Sequence, residues 1–490
     1  MLGNALARSV IDKYSALPAN GKPRPRSNGT PEWTVLAGFC LFRTVNDDDD
    51  DPTDVECVAL GTGLKALPHQ RLPVHGDVLH DSHAEVVARR GFKLWIYRQI
   101  ELASDRDRES SLFERDEPNH EWTLKPGWNV ALWVSTLPCG DASTYSLSIS
   151  SSPSPGDPFS TTALASALPS SSSGYAHTAS TRSALHPSLI EAASLGLTTD
   201  RTPLASSPTP SPRPTPGSSS EDALVRRGRN SYTSFSTLRT KPGRADSPPT
   251  TSHSCSDKIA IWNLCGCQGA LLASLDVRPI PLDIVVVGGI DPSDPEVERV
   301  RGEVRRAVGG RLEGWNGPSG TRVNVPRVEF STEPTFCNGR DAVASTFGID
   351  EGDVQSCQES LSWVQGIGTE VISNGIRQGA SSKRKPGEPL PLKSRSRLCK
   401  LSLFQREREV RQALEAALEP PSSIAPRPLT YFAVKHAHEA TSSDEAASTL
   451  ARYQCLKQAV REGPFRGWLV SGRRWESFVV DGTATSPDST

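Results

Sequence analysis

The stretch Asp81-Ser82-His83-Ala84-Glu85-Val86-Val87-Ala88-Arg89-Arg90 marks the point where the chain changes period. From Ser82 to about Leu102 the apolar residues Val86, Val87, Leu94, Trp95 and Ile96 recur as one buried helical face requires, which predicts a helix there. Before it lie two strand-like runs, Glu32–Arg43 and Val55–Leu60, rich in β-branched and aromatic residues. Asp47–Asp51 between them read as a solvated loop tip. After the helix, Trp128–Leu137 returns to strand character and ends at Pro138-Cys139-Gly140. Further on, Cys255–Ser274 reads as helical and Leu282–Val287 as an apolar strand closed by Gly288-Gly289. Elements follow at Ser360–Val364, Glu370–Ser373 and Arg397–Glu419, with a last helix near Ala446–Glu462. Strands alternating with helices predict an α/β fold, a sheet covered by helices.

The chain has 490 residues. Residues 146–222 are dominated by Ser, Thr, Pro and Ala, and runs such as Pro208-Thr209-Pro210-Ser211-Pro212 bury too little apolar surface to offset their ordering entropy. The rest is long enough for one large core or two modest ones. Lys plus Arg (54) nearly balance Asp plus Glu (56), so any nucleic-acid surface must be local. Lys383-Arg384-Lys385 to Arg397 is a basic run, most simply a charged loop, with a localisation signal or RNA contact as alternatives. No apolar run reaches the length of a membrane span, and Met1–Arg8 has no signal-peptide core. A cytoplasmic and/or nuclear chain is expected, in which the ten cysteines are thiols or metal ligands.

Three short motifs carry chemistry. His83-Ala84-Glu85 has the spacing by which zinc deaminases bring an imidazole to the metal and a carboxylate to its water, yet alone it is an ordinary helix start. Pro138-Cys139-Gly140-Asp141 puts a thiol where a strand gives way to a helix, among backbone N–H groups that favour the thiolate; alone it is also a buried thiol at a turn. Ser254-Cys255-Ser256-Asp257-Lys258 lacks the usual spacing, because the common signature puts the second cysteine three residues after the first. If Cys139 and Cys255 share a metal, the segment between them leaves and rejoins one domain, and closure entropy grows only logarithmically with its length.

Other blocks occur in order around these motifs: Leu17-Pro18, Gly21-Lys22-Pro23, Glu32-Trp33-Thr34, Gly61-Thr62-Gly63, Gly76-Asp77-Val78-Leu79, Arg239-Thr240-Lys241-Pro242-Gly243-Arg244, Trp262-Asn263, Gly266-Cys267-Gln268-Gly269 and Arg397-Leu398-Cys399-Lys400. From about residue 10 to the last helix, omitting the insert, the chain resembles the adenosine deaminase domain of the RNA-editing deaminases and the tRNA-specific adenosine deaminase 1 group. In that family the two cysteine ligands stand far apart.

The resemblance implies a cytidine-deaminase-like core, a mixed β-sheet flanked by helices, extended into one large editase domain. Its parts are residues 1–145, a disordered insert at 146–236, residues 237–480, and a tail at 481–490. It implies zinc held by His83, Cys139 and Cys255 with one position left for water. Glu85 then takes the water's proton and returns protons to the ring and the departing ammonia, giving inosine from an extruded adenosine. It implies inositol hexakisphosphate caged by Arg89, Arg90, Lys258, Trp262, Gln268, Tyr453, Lys457 and Trp468. From the residues alone, such cations are surface charges with packed stems. A relay through Asp81 and Lys258 would link cage and metal, and Lys65 would contact RNA. The implied substrate is the adenosine on the 3′ side of the anticodon in alanine tRNA. Because the resemblance begins so near residue 1, no double-stranded-RNA-binding module is expected ahead of it.

The alternatives are an editor of messenger RNA and a non-catalytic zinc or RNA-binding protein; Glu85 beside a full ligand set speaks against the last. Departures from the family occur at Ile261 and Ser471, where basic residues are usual, at His80 for Asn, and at Leu64 for a Thr that touches the target ribose. Cys265 and Cys267 are read as core thiols on an apolar helix, and Cys40, Cys57, Cys337, Cys357 and Cys455 likewise. Trp33 and Trp363 are read as core, while His69, His75 and His436 show no partner.

Overall fold

The computed structural model describes residues 2–44, 52–104, 111–116, 120–150, 225–227, 234–241, 247–318, 321, 323–416, 430–436 and 448–485. Its frame is an eight-stranded mixed sheet. In chain order the strands are β1 (Leu36–Thr44), β2 (Pro52–Thr62), β3 (Asn129–Val134), β4 (Ile284–Gly288), β5 (Arg327–Ser331), β6 (Glu359–Val364), β7 (Gly368–Ser373) and β8 (Ile376–Arg377). Their spatial order is β5-β4-β3-β1-β2-β6-β7-β8. Pairing is parallel from β5 through β3 and antiparallel from β3 onward.

Side chains alternate across this sheet as the strand period demands. Phe39, Leu41, Val130, Leu132, Val134, Val285 and Val287 join the core on one face. Leu36, Cys40, Ala131, Trp133, Ile284 and Val286 join a second core on the other. Helix α1 (Leu2–Ser15), absent from the sequence reading, covers the second face with Leu2, Leu6 and Val10. Helix α2 (Ala84–Ser104) lies on the first, where Phe92 stacks between Phe39 and Trp95. Both faces of the sheet are therefore buried, which fits the near-continuous apolar runs of β3 and β4.

Several boundaries differ from the expectation. His83 is not helical: it ends a short strand, Asp81–His83, which pairs with Leu64–Ala66, and α2 starts at Ala84. The Asp81 carboxylate accepts the His83 backbone N–H at 3.0 Å and holds the residue outside the helix. The expected helix 255–274 is two helices, α4 (Cys255–Cys265) and α5 (Gly269–Ala273), parted at Gly266 in the positive-φ region. Cys267 thus lies in the break, still buried. Helix α3 (Asp141–Ser150) follows Cys139, and the strand Val225–Arg227 pairs with Leu238–Thr240, so ordered elements enter the span 146–236 at both ends. Residues 151–224 and 228–233 of that insert, Asp47–Asp51 and the last tail residues lie outside the described residues. Helices α6 (Val297–Val308), α7 (Lys400–Ala416), α8 (Tyr431–His436) and α9 (Thr449–Glu462) complete the framework used below.

Candidate active site

The two cysteine loops are stitched together across 116 residues of chain by the Cys255 backbone N–H, which donates to the Cys139 thiol at 3.3 Å. Cys255 is the first residue of α4, so this donor is one that the helix leaves unpaired. Ser256 fastens the same seam, with its hydroxyl donating to Cys139 O at 2.9 Å and accepting from the Ala142 N–H at 3.1 Å. Gly140 sits at φ +102, and a β-carbon there would lie 2.2 Å from Ser254 Oγ. No other residue allows that approach. The acids that follow each cysteine, Asp141 and Asp257, are fully buried and share Arg311, at 3.7 Å and 2.7 Å.

The thiols behave as a pair. A hydrogen bond from Cys255 holds the Cys139 thiol below its ordinary value, with Lys241 and His83 acting in the same direction. Burial pushes Cys255 up. The Glu85 carboxylate opposes ionisation of both thiols, so it lies within their field, and Glu85 is only 4% exposed.

Asp81 is the hub behind His83. Its Oδ1 accepts from His83 Nδ1 at 2.9 Å, and its Oδ2 accepts from Lys241 Nζ at 2.8 Å, from Ser252 Oγ at 2.5 Å and from Lys258 Nζ. Burial works against charge on Asp81, but Lys241, Lys258 and His83 hold its carboxyl well below the usual range. An ionised carboxylate only accepts, so Nδ1 carries a proton and Nε2 is the ring nitrogen turned away from Asp81. Lys241 also reaches the Cys255 thiol, at 3.2 Å. Among the described residues no three His, Cys, Asp or Glu side chains form a closed metal-holding group. The donor chemistry nonetheless fits zinc: two paired thiols with a lysine at hand, and an imidazole oriented by a carboxylate. Lys65 is the register partner of Ser82, beside His83, and its ammonium donates to Ser356 Oγ at 2.7 Å.

A second buried cluster lies beyond Lys258. Arg89 donates to Cys267 O at 2.9 Å and covers the Trp262 ring, and Arg90 donates to Leu398 O. Lys457 lies over Tyr453, one turn away on α9. Glu476, fully buried, accepts from Lys400 at 2.6 Å, from Lys435, and from His436 Nε2 at 2.8 Å. Burial lowers Lys400 to about 8 and His436 to about 3. Gln268 commits its amide to the backbone, donating to Cys265 O and accepting from the Ile280 N–H. Trp468 stacks on His253, ahead of α4.

Residues 59–470 match the adenosine-deaminase (editase) domain. The chain belongs to the adenosine-deaminase (editase) family. It is 30% identical to the tRNA-specific adenosine deaminase 1 of Mus musculus, over 91% of this chain and 95% of that protein. It is 29% identical to the protein of the same name from Homo sapiens, over 94% and 98%. The double-stranded RNA-specific editase Adar of Drosophila melanogaster is 26% identical over 71% of this chain but 41% of its own length.

In this editase chain, several site residues escaped the sequence reading. Lys241 stands inside the quoted block Arg239–Arg244 and Lys400 inside Arg397–Lys400, so their positions were marked without a role. Ser252, Arg311, Lys435 and Glu476 carried no signal, because their partners are distant in sequence. His75 and His69, read as partnerless, meet the carbonyls of Gly482 and Pro249, and His436 meets Glu476. Ile261 packs in the core, Ser471 accepts from Lys400, and His80 is half-buried with its Nε2 buried and unpaired.

Proposed function

We propose that this editase converts adenosine to inosine in tRNA, at the position 3′ to the anticodon of alanine tRNA. The observation that carries the reading is the convergence of Cys139 and Cys255, 116 residues apart, beside buried Glu85 and the Asp81-bound imidazole. Relatives aligned over nearly their whole length are named tRNA-specific adenosine deaminase 1, which supports tRNA as the substrate. A cytidine-deaminase-like core and a cytoplasmic and/or nuclear location belong to the same proposal.

His83 Nε2 and the Cys139 and Cys255 thiolates would hold zinc. When bound, that ion supplies an activated water at neutral pH. Asp81 fixes the His83 tautomer, and Lys241 offsets negative charge at Cys255. Glu85 receives the proton of the attacking water at a carboxylate oxygen as oxygen bonds to adenine C6. It passes that proton to the ring nitrogen, then takes the proton of the new C6 hydroxyl and hands it to the amino group, so that the C6 carbonyl forms, the C6–N bond breaks and ammonia departs. Lys65, beside the metal-side strand, contacts the RNA backbone.

The second cluster supports a buried polyanion, inositol hexakisphosphate. Arg89, Arg90, Lys400, Lys435 and Lys457 share one buried region, with Glu476 the carboxylate that pairs there. Such an excess of buried charge is stable only when paired. Arg89, Arg90, Lys457 and Tyr453 are the proposed phosphate donors, Trp262 supports Arg89, and Lys258 and Asp81 join the cluster to His83. Gln268 and Trp468 act by packing. Purified chain should contain zinc and phosphorus and should deaminate alanine tRNA in preference to long RNA duplexes. Deamination of duplexes with tRNA ignored would overturn the substrate, and metal-bound protein without any deamination would overturn the activity.

A further inference from the structure

Lys93 sits on α2 four residues beyond Arg89 and three beyond Arg90, a spacing that places the three cations on neighbouring rows of one helix. Its sequence neighbours Phe92, Leu94, Trp95 and Ile96 are all core residues, yet Lys93 itself is only 8% exposed. An apolar side chain would be expected at such a position.

Cations lie close to it. Lys93 Nζ and Arg89 Nη2 come within 3.6 Å and 3.1 Å of the place a β-carbon would take at Gly269, so both converge on the start of α5. Gly269 has φ +70, and a larger residue would fill the space between the two cations. Burial most strongly disfavours charge on Lys93, and Arg89, Arg90, Lys435 and Lys457 act in the same direction. Among the described residues no carboxylate forms an ion pair with Lys93. Glu476 is taken by Lys400, Lys435 and His436. A buried ammonium among like charges is tolerated when an anion completes the site.

We propose that Lys93 is a phosphate-binding residue of the polyanion site, reaching between α2 and Gly269 to a phosphate that Arg89 also holds. The inference rests on the polyanion reading above, and goes beyond it in assigning a cation that the sequence pattern did not mark.

The test compares wild type, Lys93→Met and Lys93→Arg, expressed as full chains in eukaryotic cells and dialysed against rising salt. Phosphorus per chain and acid-extracted inositol hexakisphosphate are then measured. Wild type and Lys93→Arg should retain the polyanion alike, while Lys93→Met should release it about tenfold faster or more, the loss expected of one charge-assisted hydrogen bond. Equal retention by Lys93→Met overturns the assignment to Lys93 and leaves the polyanion intact. Absence of phosphorus from wild type overturns the polyanion itself, and Lys93 with it. Should Lys93→Met fail to accumulate, a crystal structure of the phosphorus-containing wild type decides. Phosphate oxygen within hydrogen-bond distance of Lys93 Nζ is expected, and an ammonium turned away from phosphate refutes the proposal.

Discussion

Replacing Arg311 by Met should loosen the seam that holds the two cysteine loops together. The Arg311 side chain is 4% exposed, bonds Asp257 at 2.7 Å, approaches Asp141 at 3.7 Å and lies over Phe465. Both acids are fully buried, and Asp257 Oδ2 already accepts from the Arg239 N–H and Ser254 Oγ. Methionine preserves much of the packing but leaves the Asp257 carboxylate without its cation. Breaking a buried pair in this way costs about 3–5 kcal/mol. For a fold of about 360 described residues the unfolding entropy is about 0.75 kcal/mol/K, so the melting temperature should fall by about 4–7 °C. Arg306 offers a control: it bonds Asp141 at 2.6 Å but is 24% exposed, and its loss should lower the midpoint by about 1–2 °C. Calorimetry on Arg311→Met, Asp257→Asn and the double variant completes the test. The double variant should be less destabilised than the sum of the singles by about 2 kcal/mol, because the stranded charge is gone. A shift for Arg311→Met no larger than that for Arg306→Met, or strict additivity, would refute the reasoning.

Cys139→Ser or Cys255→Ser should lower bound zinc, measured by mass spectrometry of the metal, from near one per chain to below about a tenth, since a thiolate ligand is lost outright. Asp81→Ala keeps all three ligands but removes the acceptor that orients His83, so zinc affinity should fall by about 10–100-fold; unchanged affinity would deny the hub its role. Glu476→Gln should be less stable than wild type at neutral pH. Burial raises the Glu476 pKa but Lys400, Lys435 and His436 outweigh it, leaving the folded-state value well below the ordinary one. Its stabilisation is therefore present above the unfolded value of about 4.3 and fades as pH falls through the lower folded value. Denaturation midpoints of the two proteins should converge in that acid window, and a constant gap would contradict the assignment. Leu64 is the register partner of His83 and brings no hydroxyl to the site. Removing the 2′-hydroxyl of the target nucleotide should change kcat/KM by less than about threefold, well under the loss of a working hydrogen bond; complete dependence on it would count against this reading.

The sheet is legible where strands are long and apolar: β3 and β4 start within two residues of their expected limits, while β3 ends three residues early. Helix α2 was legible because it carries a full apolar face. Helix α1 was missed although Leu2, Leu6 and Val10 recur at helical spacing, because its mean pattern is diluted by polar residues. The break at Gly266 is hidden in the sequence by the apolar residues on both sides, which are core residues flanking it. The start of α2 at Ala84 is not legible, because a His-x-Glu motif says nothing of the Asp81 side chain that binds the His83 N–H. Candidate ligands could be named from local blocks, whereas Arg311, Ser252 and Glu476 gain meaning only from charges that the fold brings to them.

The most direct test of the account is the inosine content of alanine tRNA in cells whose only copy of this chain carries Glu85→Ala. Sequencing should find adenosine unchanged 3′ to the anticodon, with inosine restored by the wild-type chain. Normal inosine at that position in the Glu85→Ala cells would contradict both the proton carrier and the substrate.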